Sequence, residues 1–176
     1  MAQHKVERDC QILEFSLVLA TISDAEAIEV LEAASFPSDE AASLTSITYR
    51  IQHAPEYFYK FLDKYKKIVG FINGTCMKTS EITHDSMFEH IPDALTLVIH
   101  SVTIDAQFRN KGLGFTMLQR YIEQVFNTTK IESIKLLCKL NLRSWYKNAG
   151  FVEVGISGVH HGREIWYEME LRRKKE

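Results

Sequence analysis

The sequence lacks four features that would each assign it to a specialised class of protein. It has no large charge excess, since its formal net charge is −2, whereas a general nucleic-acid-binding protein is usually clearly basic. It has no apolar run near the roughly 18 residues that cross a bilayer, and its first ten residues, MAQHKVERDC, contain no signal-peptide core. Its three cysteines, Cys10, Cys76 and Cys138, are odd in number and far apart, which favours reduced thiols over a disulfide framework or a zinc site. We therefore expect a soluble cytoplasmic protein with no nucleic-acid or membrane partner.

The composition that is present is that of an ordinary globular domain. Of 176 residues, 45% are apolar and 25% are charged, which is enough chain to bury a sizeable core. No repeat, linker or low-complexity segment divides the chain, so residues 1–176 are predicted to form a single domain with its core at about 15–171. No metal is expected, because the histidines form no compact ligand pattern with the cysteines; those considered are His84, His90, His160 and His161.

The hydrophobic pattern alternates between strand-like and helix-like segments. Short β-branched or aromatic runs predict strands, and apolar residues three or four apart predict helices. The predicted elements are, in chain order, a strand at 15–20, helices from 25 to Pro37 and from Asp39 to Gln52, strands at 57–63 and 68–77, a polar excursion at 79–94, a strand at 95–104, a helix at 112–126, a strand at 133–138, a short helix at 141–148, and strands at 151–156 and 164–171. This order predicts an α/β fold, a mixed sheet with helices on both faces.

A basic glycine loop joins a predicted strand to a predicted helix in the stretch IHSVTIDAQFRNKGLGFTMLQRYI, residues 99–122. The first backbone N–H groups of a helix lack internal partners and lie at the positive end of its dipole, so they attract anions. Gly112 and Gly114 have no Cβ and would let a phosphate approach the backbone closely, and Arg109 and Lys111 would add full charges. The loop matches neither GxGxxG nor GxxxxGK[ST]. An ordinary turn with solvated cations is the alternative for so short a motif.

Four stretches of the sequence have counterparts in one known enzyme family. They are ASFPSDEAAS at 34–43, KIVGFINGT at 67–75, IHSVTIDAQFRNKGLG at 99–114 and WYKNAGF at 145–151. Together they resemble the arylalkylamine N-acetyltransferases, the serotonin N-acetyltransferase family, and particularly its non-vertebrate and fungal relatives in the GNAT superfamily. The R-x-x-G-x-G loop by itself resembles loops found throughout the superfamily. The stretch FPSDEAAS and the strand histidine narrow the resemblance to the arylalkylamine N-acetyltransferases. It implies the GNAT acyl-CoA N-acyltransferase fold, a mostly antiparallel sheet that splays apart between strands 4 and 5.

The resemblance also implies roles for particular residues. It implies acetyl-CoA as co-substrate, with its pantetheine arm paired to the backbone of Val102, Thr103 and Ile104. The pyrophosphate would lie against the loop residues, which are Arg109, Asn110, Lys111, Gly112, Leu113, Gly114 and Phe115. It implies His100 as the catalytic histidine facing the amine, Tyr146 near the coenzyme sulfur, and an acceptor pocket that includes Phe36, Leu137 and Trp166.

Two positions depart from the patterns of the resembled enzymes. Val98 stands where the vertebrate enzymes have a second histidine, which puts a two-histidine proton relay in doubt. Lys139 stands where many superfamily members have an asparagine, which leaves some coenzyme contacts unassigned.

The residues suit the chemistry of acetyl transfer to an amine. An alkylammonium must lose a proton before it can attack, and histidine, with a pKa near 6.5, can accept it. A tyrosine, with a pKa near 10, can donate a proton to the departing thiolate. A backbone N–H on the fourth strand, such as that of Val102, would stabilise the oxyanion. The simpler alternatives are a hydrogen-bonded core histidine for His100 and aromatic packing for Tyr146.

The acceptor amine is left open by the sequence. Phe36, Phe88, Trp166 and Tyr167 could enclose an aromatic ring, which favours serotonin, tryptamine, dopamine or phenethylamine. Asp39 and Glu40 could instead attract a polycation such as spermidine, spermine or putrescine, or simply be acids in a first helical turn. Acetylation of proteins or peptides, and a non-catalytic acetyl-CoA sensor, are the further alternatives.

Overall fold

Seven strands and four α-helices follow the predicted order in a computed structural model that describes residues 14–83, 85–159 and 162–174. The elements are β1 Ser16–Leu19, α1 Ala25–Ala33, α2 Leu44–His53, β2 Phe58–Leu62, β3 Ile68–Met77, β4 Thr96–Ile104, α3 Leu113–Thr128, β5 Ser133–Lys139, α4 Arg143–Asn148, β6 Val152–Ile156 and β7 Trp166–Arg172. Each strand boundary lies within two residues of its predicted position. Cys10, His84, His160 and His161 lie outside the described residues.

The strands form one sheet in the order β1-β2-β3-β4-β5-β7-β6. Neighbouring strands are antiparallel, except β4 and β5, which are parallel. The connection between this parallel pair contains α3, as parallel strands require a crossover. The predicted mixed and mostly antiparallel sheet is confirmed.

Helices cover both faces of the sheet, and adjacent residues of β3 show this most clearly. Phe71 packs with Ile28 of α1 and Ile47 of α2, whereas Ile72 packs in a second core with residues of α3 that include Met117. All five side chains are 0% exposed, and burying each contributes about 1.5–3 kcal/mol. The two layers are called below the α1/α2 face and the α3/α4 face.

Helix α2 begins five residues later than predicted, at Leu44 rather than Asp39. The reason is its N-cap, because the Ser43 side chain accepts a hydrogen bond from the Ser46 backbone N–H at 3.2 Å. Residues 34–43 therefore form a loop between α1 and α2, and Glu40 lies on that loop instead of in a first helical turn.

The longest helix that the structure describes is α3, with 16 residues. Across the described part of the chain, no helix combines the length and apolar character needed to cross a membrane.

Candidate active site at the divergence of two parallel strands

Strands β4 and β5 pair over the first part of their length and then separate. Their parallel register runs from Thr96 opposite Ser133 to Ile99 opposite Leu136. Beyond Ile99, β4 continues beside β3, and β5 continues beside β7 up to Lys139. The predicted splay between the fourth and fifth strands is confirmed, and it leaves an edge of β4 facing a cleft.

A β-bulge sits at His100, where the separation begins. Gly74 of β3 is opposite Ile99 and Asn73 is opposite Ser101, so His100 is an extra residue with no partner position on β3. A bulge re-aims side chains, and here the consecutive residues His100 and Ser101 both contact groups on the α1/α2 face. His100 Nε2 lies 2.7 Å from the Thr75 hydroxyl, and Ser101 donates to Glu32 at 3.1 Å.

The environment of His100 favours a neutral imidazole. Burial, and then the positive charge of Arg50, lower the pKa of His100 well below its ordinary value. Its Nδ1 is buried and makes no hydrogen bond to the described residues, while Nε2 is occupied by Thr75. The imidazole therefore has the protonation state of a base. The residue as a whole is partly buried, and its Nδ1 is shielded from solvent.

A buried polar network lies beneath the cleft, centred on Glu32 of α1. Its carboxylate accepts hydrogen bonds from the Ala42 backbone N–H and from Ser101. Burial raises the pKa of Glu32 in spite of these donors and of Arg50. Burial lowers the pKa of Arg50 to about 10, against the opposing effect of Glu32, and the guanidinium donates to Asn73 at 3.3 Å.

Sequence reasoning did not identify this network as part of the site. Glu32 lies four residues after Ile28 on the buried face of α1, and a carboxylate at such a position is itself a signal of a buried polar site. Asn73 and Thr75 carry the same signal, because they interrupt an otherwise apolar strand.

One cavity of about 470 Å³ spans the cleft between the two diverging strands. It brings together catalytic, coenzyme-side and acceptor-side residues predicted from the sequence, which are His100, Tyr146, Val102, Phe36, Glu40, Leu137 and Trp166. Phe88 also lines it, whereas Thr103 and Ile104 do not and are buried. Residues that are up to 130 positions apart in the chain thus line the same cavity.

Tyr146 reaches this cavity from the α3/α4 face. Its ring packs edge-on against Trp145 at 4.8 Å and Phe151 at 5.7 Å between ring centroids, and 7% of the residue is exposed. Burial raises the pKa of Tyr146 above its ordinary value. The phenol therefore stays protonated at neutral pH and can act as a hydrogen-bond donor.

The basic glycine loop lies between the end of β4 and the start of α3. Asn110 and Gly112 have φ angles of 59° and 79°, in the left-handed region that glycine tolerates best, and Gly112 is the N-cap of α3. The two cations have intramolecular contacts that the sequence did not reveal. Arg109 donates to the Ile104 carbonyl and to the Ser35 hydroxyl, both at 2.9 Å, and Lys111 donates to the Gln107 carbonyl at 2.9 Å.

Lys139, at the end of β5, lies at the acceptor side of the cavity. Its ammonium is 2.9 Å from Glu40 Oε1 and 2.9 Å from Glu164 Oε1, and it stands over the Trp166 ring at 5.5 Å from the centroid. Burial lowers the pKa of Lys139, but the two carboxylates outweigh burial and the net pKa is raised. The structure thus pairs a predicted substrate-binding acid with a cation of the same chain.

No group of three or more His, Cys, Asp or Glu side chains is arranged to hold a metal ion within residues 14–83, 85–159 and 162–174.

A model of the acetyltransferase (GNAT) family matches residues 25–151. The chain belongs to this family. The matched range begins at α1 and ends just after α4, so it includes both sides of the cleft, the glycine loop, His100 and Tyr146.

The chain is similar to curated proteins in sequence and to solved structures in fold. Serotonin N-acetyltransferase of Mesocricetus auratus is 27% identical over 104 residues, which cover 59% of this chain and 50% of the relative. The chain spans about half the length of the curated relatives it matches. The GphF GNAT-like decarboxylase in complex with isobutyryl-CoA superimposes with a TM-score of 0.78 at 16% identity, over 89% of this chain and 98% of that one. Spermidine/spermine N-acetyltransferase SpeG from Vibrio cholerae gives a TM-score of 0.64 at 16% identity, over 92% and 94%. These structural similarities show the GNAT fold.

Proposed function

We propose that this protein is an acetyl-CoA-dependent N-acetyltransferase that acetylates the primary amine of a small arylalkylamine such as tryptamine, serotonin, dopamine or phenethylamine. The observation that carries the proposal is the cavity at the β4–β5 divergence, which is lined by both His100 and Tyr146 in a chain of the GNAT family. Acetyl-CoA supplies the acetyl thioester when it is bound.

The coenzyme side of the site fits an extended thioester carrier. The pairing of β4 with β5 ends at Ile99, so the backbone of Val102, Thr103 and Ile104 on that side of β4 is proposed to pair with the amides of a pantetheine arm. The left-handed residues Asn110 and Gly112 turn the chain into α3, so that the backbone N–H groups of residues 113–115 can hold a diphosphate.

His100 acts as the base in this proposal. We assign its proton to Nε2, donated to the Thr75 hydroxyl, which leaves a lone pair on Nδ1. That lone pair accepts the proton of the substrate ammonium, directly or through a water molecule, while the Nε2 contact with Thr75 is kept. The lowered pKa of His100 keeps the imidazole neutral and ready to accept it.

Tyr146 acts as the acid, and the backbone supports the charge that develops. Its protonated phenol donates to the thiolate that leaves when the amine attacks the thioester carbon. We assign the oxyanion to the backbone N–H of Val102, a residue that lines the cavity.

The arylalkylamine preference rests on the acceptor side of the cavity. Phe36, Leu137 and Trp166 line it together with Phe88, and such aromatic and aliphatic walls bind an aryl ring by burying its apolar surface. A matched relative is a serotonin N-acetyltransferase, which is consistent with the same substrate class. A matched structure is a spermidine/spermine N-acetyltransferase, so polyamines belong in the same test.

A thiol-release assay with acetyl-CoA tests the proposal. The acceptors are serotonin, tryptamine, dopamine, phenethylamine, spermidine, spermine, putrescine and a peptide with a free N-terminus. We expect turnover with the arylalkylamines, and coenzyme A release at background for all acceptors would refute the proposal. Turnover with polyamines or the peptide alone would refute the substrate class and leave the reaction intact.

Matched variants test the two proton-handling residues. His100→Gln and Tyr146→Phe should each lower kcat about 100-fold, within the range that general acid–base groups contribute. His53→Gln and Tyr65→Phe are controls of the same chemistry at exposed positions and should leave kcat unchanged. Unchanged rates in the first pair would show that these assignments are wrong even for an active enzyme.

A further inference from the structure

The ammonium of Lys139 occupies the acceptor side of the cavity in the way that a bound alkylammonium would. It contacts two carboxylates, of Glu40 and Glu164, at 2.9 Å each and lies over an indole ring at 5.5 Å. Paired carboxylates with an aromatic face are the arrangement that recognises organic cations. The protein therefore fills its own cation position with a side chain from β5.

Contacts within the protein fix the Glu40 side chain, so its carboxylate is not available to bind a substrate. Its side chain is 4% exposed, and Gly162, from the connection before β7, lies so close that a Cβ there would be 2.8 Å from Glu40 Oε1. The neighbouring acid, Asp39, is exposed and does not line the cavity. Of the two acids predicted to attract a polycation, Glu40 is thus paired with Lys139 and Asp39 lies outside the cavity.

The charges on the cavity wall balance among the described residues. The lining carboxylates are Glu32 and Glu40, and the lining cations are Arg50 and Lys139. Glu32 lies near Arg50, whose charge acts on it, and Glu40 pairs with Lys139. Glu164, which also contacts Lys139, is more than half exposed and does not line the cavity. A second positive charge on a substrate would therefore meet no excess negative charge on the wall to compensate for its lost hydration.

We propose that Lys139 is a specificity residue, which restricts the acceptor to monoamines by occupying the site where the distal ammonium of a diamine or polyamine would bind. The proposal rests on the proposed function, since it concerns the acceptor side of that active site. It predicts that an added distal charge weakens binding, and that removal of the Lys139 charge reverses this preference.

A matched pair of amines tests the proposal on the unmodified protein. Hexylamine and 1,6-diaminohexane have the same chain and differ by a terminal ammonium, and their inhibition constants are measured in competition with tryptamine. We expect hexylamine to compete at least about tenfold more strongly, because a like charge beside Lys139 is unfavourable. Equal competition, or stronger competition by the diamine, would overturn the proposal.

Variants at Lys139 then assign the effect to its charge. In Lys139→Gln the carboxylates of Glu40 and Glu164 lose their cation. The inhibition constant of the diamine should then fall about tenfold relative to that of hexylamine. Lys139→Arg keeps the charge and should keep the wild-type ratio, and the double variant Lys139→Gln/Glu40→Gln should lose most of the gain. Lys130→Gln removes an exposed lysine that pairs with Asp93 away from the cavity and should change nothing.

The outcomes separate this proposal from the proposed function. If tryptamine is acetylated but the ratio is the same in Lys139→Gln and wild type, Lys139 merely anchors the loop and the function stands. If the wild-type protein acetylates spermidine and no arylalkylamine, both are refuted.

Discussion

The hydrogen bonding and the pKa of His100 are set by residues around it in the folded chain. A histidine within an apolar strand suggests either a base or a core residue, and the sequence cannot choose between them. The structure adds the bulge, the contact of Nε2 with Thr75 and the lowered pKa. These properties come from residues 25 positions or more away, as with Thr75, and from burial, which no local pattern encodes.

Thr75 is expected to act as a positioning residue for His100. Thr75→Val removes the hydrogen-bond partner of Nε2 while conserving shape, so the imidazole loses its fixed tautomer and kcat should fall about tenfold, as when groups that orient a catalytic imidazole are removed. Thr75→Ser keeps the hydroxyl and should retain most of the rate. Steady-state kinetics with tryptamine would check this, and equal rates for the Val and Ser variants would exclude a positioning role.

The burial of His100 should also appear in the pH dependence of stability. Because its folded pKa lies below the unfolded value of about 6.5, the unfolded state binds more protons. The contribution of His100 to the free energy of unfolding is therefore fully present above about pH 6.5. It is lost as the pH falls below that value, by up to about 1.4 kcal/mol per pH unit.

Urea unfolding at pH 7.5, 6.5 and 5.5 measures this effect. We expect a shallower decline for His100→Gln than for the wild type. Since both proteins retain His90 and Glu32, whose pKa values are also shifted, the difference isolates His100. Parallel pH profiles would contradict the assigned burial.

At the scale of elements, most strands and helices were predictable because their signals are local. The turn KYKK joins two apolar runs that form the β2–β3 hairpin, and α3 follows Gly112 as expected. The start of α2 was misplaced because either Asp39 or Ser43 could begin a helix by residue type. Ser43 prevails in the structure, which frees the loop that carries Phe36 and Glu40 into the cavity.

The pairing of β3 with β4 depends on a close backbone approach at Gly74. A Cβ there would lie 2.5 Å from the Val98 carbonyl oxygen, so Gly74→Ala must shift the strands beside the bulge. We expect a loss of about 1–3 kcal/mol in the free energy of unfolding, typical of overpacking. Gly158→Ala is the matched control, because no atom lies within 4 Å of the added Cβ. Similar stabilities for both variants would contradict the close approach.

At the scale of the whole molecule, three contacts hold the loop of residues 34–43 over the cleft. Arg109 of the glycine loop donates to Ser35, Glu32 of α1 accepts a hydrogen bond from the Ala42 N–H, and Lys139 of β5 pairs with Glu40. The loop thus ties together elements from both sides of the diverging strands, and the acceptor and coenzyme sides of the cavity become one space.

Acetyl-CoA should therefore stabilise the whole fold. At 100 times its Kd, a ligand that binds the native state alone adds about 2.7 kcal/mol, which corresponds to a rise in Tm of roughly 5–10 °C for a chain of this size. Differential scanning fluorimetry measures the rise. Gly112→Trp places a bulky side chain at the N-terminus of α3 and should abolish the rise. Nothing in the protein would meet its Cβ, but the φ of 79° strains any residue other than glycine, so the Tm of the variant without acetyl-CoA is measured as its own reference.

Gly158→Ala serves as the control here too and should keep the full rise. A full rise in Gly112→Trp would place the coenzyme elsewhere, because the glycine loop would then not be needed to hold it.

The order of elements, the glycine loop before α3 and the positions of His100 and Tyr146 were available in the sequence alone, because periodicity, turn residues and motifs act over a few neighbouring residues. The cavity, the Thr75 contact of His100 and the Glu32 network required the folded chain. So did the pairing of Lys139 with Glu40, which are 99 residues apart. Such contacts depend on strand register, on the bulge and on burial, and these are settled when distant segments pack together.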